Sequence, residues 1–409
     1  MSFGIALSGL NAAQTDLNVT ANNIANTATN GFKQSRSEFA ELFAISAQGV
    51  SSNQYGNGVK VAAVTQQFTQ GNTTTTNNSL DLAISGQGFF VLSDAGASAY
   101  TRAGAFQVND DGYVVNSQNQ RLQVYPPSVT GNFNTSTLGD LRLVTSESPP
   151  QATSLIEPVF NLPANASQPT STPFDPADSA SFNEARSVTV YDSLGAAHTA
   201  SLYWSKTATP NEWSMSVYVD GNAVGTAQTL TYSDTGTLTT PANGQITLPA
   251  YDATAGLSTG AAPINLSLDL SMTTQYGDTF SMTSSTQNGF TTGQLIGIDV
   301  DSTGVVQARF TNGRATALGQ VAIANFANPQ GLQQLGNTNW SETNASGQPL
   351  LGQAGGSGFG LMQSGALEAS NVDITAQLVN MITAQRNFQA NAQMIQTADQ
   401  VTQTIINIR

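Results

Sequence analysis

The sequence predicts a multidomain α+β protein in which N- and C-terminal helices pair as a coiled coil, beside a mostly antiparallel β body that has a second all-β domain inserted in it. Three observations carry this. Narrow apolar stripes at 3-4 spacing occupy both ends of the 409-residue chain. Short apolar runs bounded by Gly, Asn and Asp fill the middle, the pattern of strands and tight turns. Residues 149–285 concentrate negative charge. The expected division is a terminal helical domain from 1–30 and 366–409, a linker region from 31–70 and 335–365, a β-rich body from 71–148 and 286–334, and an inserted acidic outer β domain at 149–285.

The N-terminal helix is expected over residues 1–27. Phe3, Leu7, Leu10, Leu17, Ala21 and Ile24 keep the alternation, with Ala13 beside the slot that Gln14 fills. At the other end Leu378, Met381, Phe388, Ala392 and Ile395 do the same, with Gln385 in one slot. That spacing keeps one stripe of a helix against a partner. The register then slips to Ala398, Val401, Ile405 and Ile408, a local break in the supercoil. No Gly or Pro interrupts Ser370–Arg409, which Ser370 or Asn371 caps, with Asp373 in the first turn. Such stripes predict helices that pack on each other and on copies of themselves. A lone pair is marginal against the entropy of ordering it, so the ends are expected to be loose in a monomer and ordered in an assembly.

After the helix, Phe39, Leu42 and Phe43 extend an apolar pattern, and Gly56-Asn57-Gly58 turns into VKVAAVTQQF. LDLAISGQGFFVL, AYTRAGAFQV, GYVV and RLQVYP read as short strands, with a hairpin turn at Asn109–Gly112. Pro149-Pro150 and the Pro/Ser/Thr-rich stretch 158–176 mark a boundary. Beyond it SVTVYDSLGAAHTASLYW reads as a hairpin turning at Leu194-Gly195, and WSMSVYVDGNAV and INLSLDLSM as further strands. Residues 150–290 hold eleven acidic residues against Arg186 and Lys206, nine of the chain's net fourteen negative charges. LIGIDVDSTGVVQARFTNGRATALGQVAIANF is a meander, and GQAGGSGFG (352–360) leads back to the last helix.

Composition excludes several functions. Charged residues make up 9% of the chain, against about 25% in ordinary soluble proteins, so uncharged polar faces can meet without stripping ions of water. Three lysines and a net charge of −14 argue against nucleic acid as partner. Cysteine is absent, which removes disulfides and thiolate chemistry. No run is long enough to insert in a membrane, and MSFGIALSGLNAAQTDL lacks the basic start and apolar core of a cleavable secretory signal.

Two terminal motifs carry a resemblance. The first includes Asn23, Ala25, Asn26, Thr29, Gly31, Phe32 and Lys33; the second runs Leu367, Glu368, Ala369, Ser370, Asn371, Val372 and Asp373, followed by Gln385 and Arg386. Together they resemble the terminal signatures of the axial proteins of the bacterial flagellum: rod, hook and hook–filament junction. GQGFF at 86–90 and Tyr100–Gly104 resemble that family's body domain. Val190–Gly195 with His198 resembles a segment typical of its hook proteins. The resemblance implies a subunit exported by the flagellar type III apparatus, polymerised with itself outside the cell as a curved tube between rod and filament. It also implies contacts with the rod, hook cap and junction proteins, and no cofactor. A rod or junction protein is the alternative within the family; a secreted polymeric adhesin is one outside it.

Catalytic and metal readings are weak. His198 is the single histidine, and a triad with Asp192 or Ser193 would sit inside one hairpin. Asp299–Gly304 begins like a calcium loop but carries Phe310 where a bidentate Glu belongs, so a β-turn is expected. The glycines at 355–360 lack the Lys-Ser/Thr pair of a phosphate cradle. No metal ligand set and no enzymatic site is expected.

Overall fold

The structure, a computed structural model, describes residues 2–42, 56–128, 132–143, 147–252 and 260–407. It is mostly β with a helix at each end. The chain divides into two compact units. One comprises Met1–Thr145, Gly297–Arg309 and Ala315–Arg409; the other comprises Ser146–Ile296 and Phe310–Arg314.

In the first unit, α1 (Ser2–Ala25) and α2 (Ile374–Asn407) pack antiparallel: Gly9 lies against Asn391, and the Asn23 side chain donates to Gln377. α1 ends where Asn26 N–H bonds back to Asn22 and Asn23 and Thr29 N–H to Asn26. These tight turns satisfy the last carbonyls. α2 starts later than the sequence indicates. Its cap is Asp373, whose Oδ1 accepts from Thr375 and Ala376 N–H, the anionic acceptor a helix start favours. Ser370 and Asn371 lie outside the helix.

The expected linkers are paired strands instead. Ser35–Glu41 and Val59–Gln66 form an antiparallel ribbon, so Phe39 belongs to a strand rather than to a continued helical stripe, and Phe43 falls outside the described residues. Within 335–365, Asn339–Ser341, Leu350–Gln353 and Leu361–Ser364 all join sheets. Trp340 and Met362 are buried there; their apolar area outweighs the Gly-rich surroundings that read as linker.

The body sheet runs, in spatial order, Val305–Phe310, Ala315–Asn325, Arg121–Tyr125, Phe89–Asp94, Ala97–Thr101, Asn339–Ser341 and Gln333–Gly336. Strand Phe89–Asp94 is covered on both faces. Phe90 and Leu92 enter one core cluster, while Phe89 and Val91 enter another with Tyr100, Phe326 and Trp340. That explains its unbroken apolar run. Two small pairings bring the chain's ends together: Thr73–Thr75 with Ala366–Glu368, and Leu82–Ser85 with Leu361–Ser364.

The second unit has its own core. Strands Glu184–Tyr191, Ala197–Lys206, Glu212–Val219 and Gln228–Tyr232 form one antiparallel sheet, from which Trp204, Trp213, Met215 and Leu230 point inward. A second sheet centres on Leu155–Pro163. That strand begins the stretch whose prolines mark a boundary in the sequence. Its alternating Ile156, Phe160 and Leu162 are buried, and this period-2 burial overrides the Pro/Ser/Thr composition.

Candidate assembly site

Where the chain leaves α1 and where it enters α2, the two segments meet against the body, and polar side chains hold them there. Asn23, 1% exposed, accepts from Ser35 N–H at 2.9 Å and donates to Ser35 C=O at 2.8 Å, closing the turn out of α1. Gly31 follows at φ +70°, and a Cβ there would stand 2.4 Å from Ala103 N, so only glycine fits. Its N–H donates to Glu368 C=O at 2.8 Å. Asn371 ties the other segment down: its Oδ1 accepts from Gln34 N–H, and its Nδ2 donates to Gln67 and Thr69 carbonyls.

Beneath these amides lies an ion network. Lys33 Nζ donates to Glu368 Oε1 at 2.6 Å and to Thr69 C=O at 2.7 Å. Arg102 Nη1 reaches Glu368 Oε2 at 3.2 Å, and Nη2 reaches Gly86 C=O at 2.7 Å. Gly71 N–H completes Glu368 Oε1 at 2.9 Å. Burial pulls the Lys33 ammonium and the Arg102 guanidinium below their usual ranges, with Glu368 acting against it in both.

The predicted signature therefore divides. Asn23, Gly31, Lys33 and Asn371 converge at this junction. Asn26, Thr29 and Phe32 build the turn beside it, and Leu367, Ala369, Ser370 and Val372 form the half-buried lead into α2. Ala25, Gln385 and Arg386 are exposed on the helices and take no part. Gln377 escapes sequence reasoning, and so does the role of Glu368 and Arg102, which sit in the quoted motifs with nothing local to mark them as partners. In Ala366-Leu367-Glu368 apolar Leu367 reads as the inward residue, yet Ala366 and Glu368 are 0% and 1% exposed while Leu367 is half-buried. The usable signal is a lone acid in an apolar strand of a chain this poor in charge.

The helical stripes also need correction. The seam between α1 and α2 is lined by small residues: Ala6, Ala13 and Thr20, seven apart, with Ala384 and Gln377 opposite. A Cβ on Gly9 would lie 2.6 Å from Asn391 Oδ1, so the helices approach closely. Leu10, Leu17, Ile24, Met381, Phe388 and Ile395 are half-buried along its edges. Phe3, Leu7, Leu378 and Val401 are 42–54% exposed. The reason is geometric: close helix approach selects small side chains, and the large ones turn outward. The Ile405 side chain and Ile408 lie outside the described residues. On α2 the exposed Leu378, Val379 and Ile382 form an apolar face turned from α1. Near the start of α1 an open groove of about 740 Å³ is lined by Phe3, Met394, Ala398 and Val401.

The residues weighed for chemistry are engaged in turns. Asp192 Oδ1 accepts from Leu194 and Ala196 N–H, and Ser193 Oγ accepts from Ala262 N–H. His198 Nδ1 bonds Asp220 rather than Ser193. Asp301 Oδ1 accepts from Thr303 and Val305 N–H and closes the turn expected there.

Comparison with known proteins places this architecture. Residues 3–33 match the flagella basal body rod protein family, and 83–170 the flagellar hook protein FlgE/F/G D1 domain. Residues 161–290 match the flagellar basal body protein FlaE D2 domain, and 363–408 the flagellar basal body rod FlgEFG protein C-terminal domain. The chain is thus of the class of rod and hook proteins of the bacterial flagellum. It is 41% identical to the flagellar hook protein FlgE of Escherichia coli strain K12 over the whole of both chains. It is 33% identical to that of Borreliella burgdorferi over 98% of each. It belongs to the flagellar hook protein FlgE family, structural components of the flagellum attached to the basal body. The crystal structure of Helicobacter pylori hook protein FlgE2 shares the fold, with TM-score 0.53 and 13% identity over 72% of this chain and 100% of that one.

Proposed function

We propose that this chain is a non-enzymatic structural subunit that polymerises with itself into the curved, flexible tube of the hook, transmitting torque from rod to filament as a universal joint. The observation that carries the reading is the uncovered apolar face of α2, with Leu378, Val379 and Ile382 each 46–59% exposed. A monomer gains nothing from exposing it, whereas neighbouring copies can bury it. Antiparallel terminal helices of adjacent subunits form the cohesive coiled-coil wall. Head-to-tail contacts that do not close on themselves generate an open helix of subunits.

The acidic domain at 149–285 is the outer part of the tube in this reading. Its uncharged polar groups make wet contacts that slide as the tube bends. Export through the flagellar type III apparatus and contacts with rod, hook cap and junction proteins complete the set of partners.

Electron microscopy of flagella from cells carrying an in-frame deletion of this gene tests the reading. Rods ending bare at the cell surface are expected, restored to full hooks by the intact gene. Truncated rods, or complete hooks without filaments, would transfer the chain to another axial role.

A further inference from the structure

The chain carries few charges, and it withdraws three of them from water at one point: the Lys33, Arg102 and Glu368 side chains are 0%, 5% and 1% exposed. They arrive from three stretches, one leaving α1, one in the body and one entering α2. Their net charge is positive, and Arg102 Nε is buried with no hydrogen-bond partner. A network so incompletely balanced is a poor source of stability; apolar replacements of such groups are often neutral or stabilising. Specificity is the better account of its presence.

The local ladder shows what needs specifying. Ala366–Glu368 pairs with Thr73–Thr75, part of the run Thr73–Thr76. A strand shifted by one residue toward Thr76 still meets three threonines, so the threonine side chains of this ladder do not by themselves exclude that register. Glu368 does. Only in the observed register does its carboxylate meet Lys33, Arg102 and Gly71 N–H together. A shift of one residue moves the strand about 3.4 Å and turns Glu368 to the opposite face.

We propose that Lys33, Arg102 and Glu368 form a register latch, positioning residues that set the axial placement of α2 relative to the body. Through α2 they set where its exposed apolar face meets the next copy. The inference rests on the assembly reading above and adds to it the device that makes the contact reproducible along the tube.

The test uses the full-length chain in cells lacking their own copy of the gene, where the parental protein must first restore hooks; failure of that control would count against the assembly reading and not against the latch. The triple variant K33M/R102M/E368M is then compared with it. Secretion at the parental level, an unchanged or higher denaturation midpoint for the secreted chain, and at least a tenfold loss of ordered hooks support the latch. Parental hook number and helical order would overturn it, as would a fall in midpoint, which would make the triad a plain stability element. Should the triple variant not be secreted, E368D decides. It keeps the charge but draws the carboxylate back by one methylene. Secreted E368D with few ordered hooks supports the latch, and secreted E368D with parental hooks refutes it.

Discussion

Replacing Leu378 by Asp separates assembly from folding. Leu378 is 46% exposed on the face of α2 turned from α1, so about half its surface remains to be covered. Full burial of a leucine is worth roughly 1.5–3 kcal/mol, which leaves on the order of 1 kcal/mol to be gained between subunits. A carboxylate at that place forfeits this gain and adds a desolvation cost of several kcal/mol. A combined loss of at least about 4 kcal/mol per contact corresponds to roughly a thousandfold in association constant. The monomer should barely respond, because exposed substitutions usually shift stability by no more than about 0.5 kcal/mol. The assay is paired: denaturant midpoint of the secreted chain, and hook counts on cells. Unchanged midpoint with hooks absent is expected. Parental hook counts would show that this face is not between subunits. Phe388→Asp is the contrast, since Phe388 is half-buried at the edge of the intrachain seam; it should loosen the helix pair and block assembly together.

Gly31→Ala should destabilise the first unit by at least about 2 kcal/mol in urea denaturation, since the left-handed backbone alone costs roughly 1–2 kcal/mol and the new Cβ meets Ala103 N. Asn371→Ala should cost about 2–3 kcal/mol by the same assay, because Gln34 N–H and the Gln67 carbonyl lose their partner; Asn371→Asp should not rescue it, having no donor. Partial burial pushes the Asp220 carboxyl up, but the Thr199 N–H and His198 outweigh this and hold it below the usual carboxylate range. That stabilisation is present above the unfolded value near 3.8 and is lost as pH falls through the lower folded value. The midpoint of the second unit, followed by fluorescence of Trp204 and Trp213, should therefore fall below about pH 4, and D220N should flatten that limb. Trimming most of 150–285 should leave a tube that forms but is straighter or mechanically altered; unchanged curvature and bending stiffness would count against sliding outer contacts.

Much of the strand content was readable because central strands such as Phe89–Asp94 carry unbroken apolar runs and their turns carry Asn-Gly or Asp-Gly signals. The C-terminal helix was readable from the absence of breakers, though not its starting point, and the N-terminal one from its apolar spacing in spite of Gly4 and Gly9. Asn371 looks like a cap, but its amide is drawn to Gln34 and Gln67 by a tertiary contact, and no local pattern encodes that. Strand Leu155–Pro163 was hidden by its prolines, whose missing N–H the sheet tolerates. At the site, Lys33 and Asn371 were legible as parts of terminal motifs. Glu368 and Arg102 stood within quoted motifs as well, but their pairing was not legible: it joins residues 266 apart in the chain and becomes visible only when the ladders of Thr73–Thr75 and Leu82–Ser85 are in place.

The helix pair also shows how the expected stripes, read as packing on each other and on copies of themselves, divide between a seam of small residues and an exposed face. A hairpin meant to stand alone points its leucines and phenylalanines at its partner, because most helical stability comes from burying a wide apolar face. Here Ala6, Ala13, Thr20 and Ala384 face inward, while Phe3, Leu7, Leu378 and Val401 face out. The seam is narrow and gains little by burial, so the pair alone is marginal. Its larger reserve of unburied apolar surface lies on the outer face, which a neighbouring copy would cover in the proposed assembly. In the proposed assembly this distribution gives weak cohesion within the helix pair and leaves the outer apolar face for contacts between copies, with the polar and ionic junction proposed to fix the register of α2 between them.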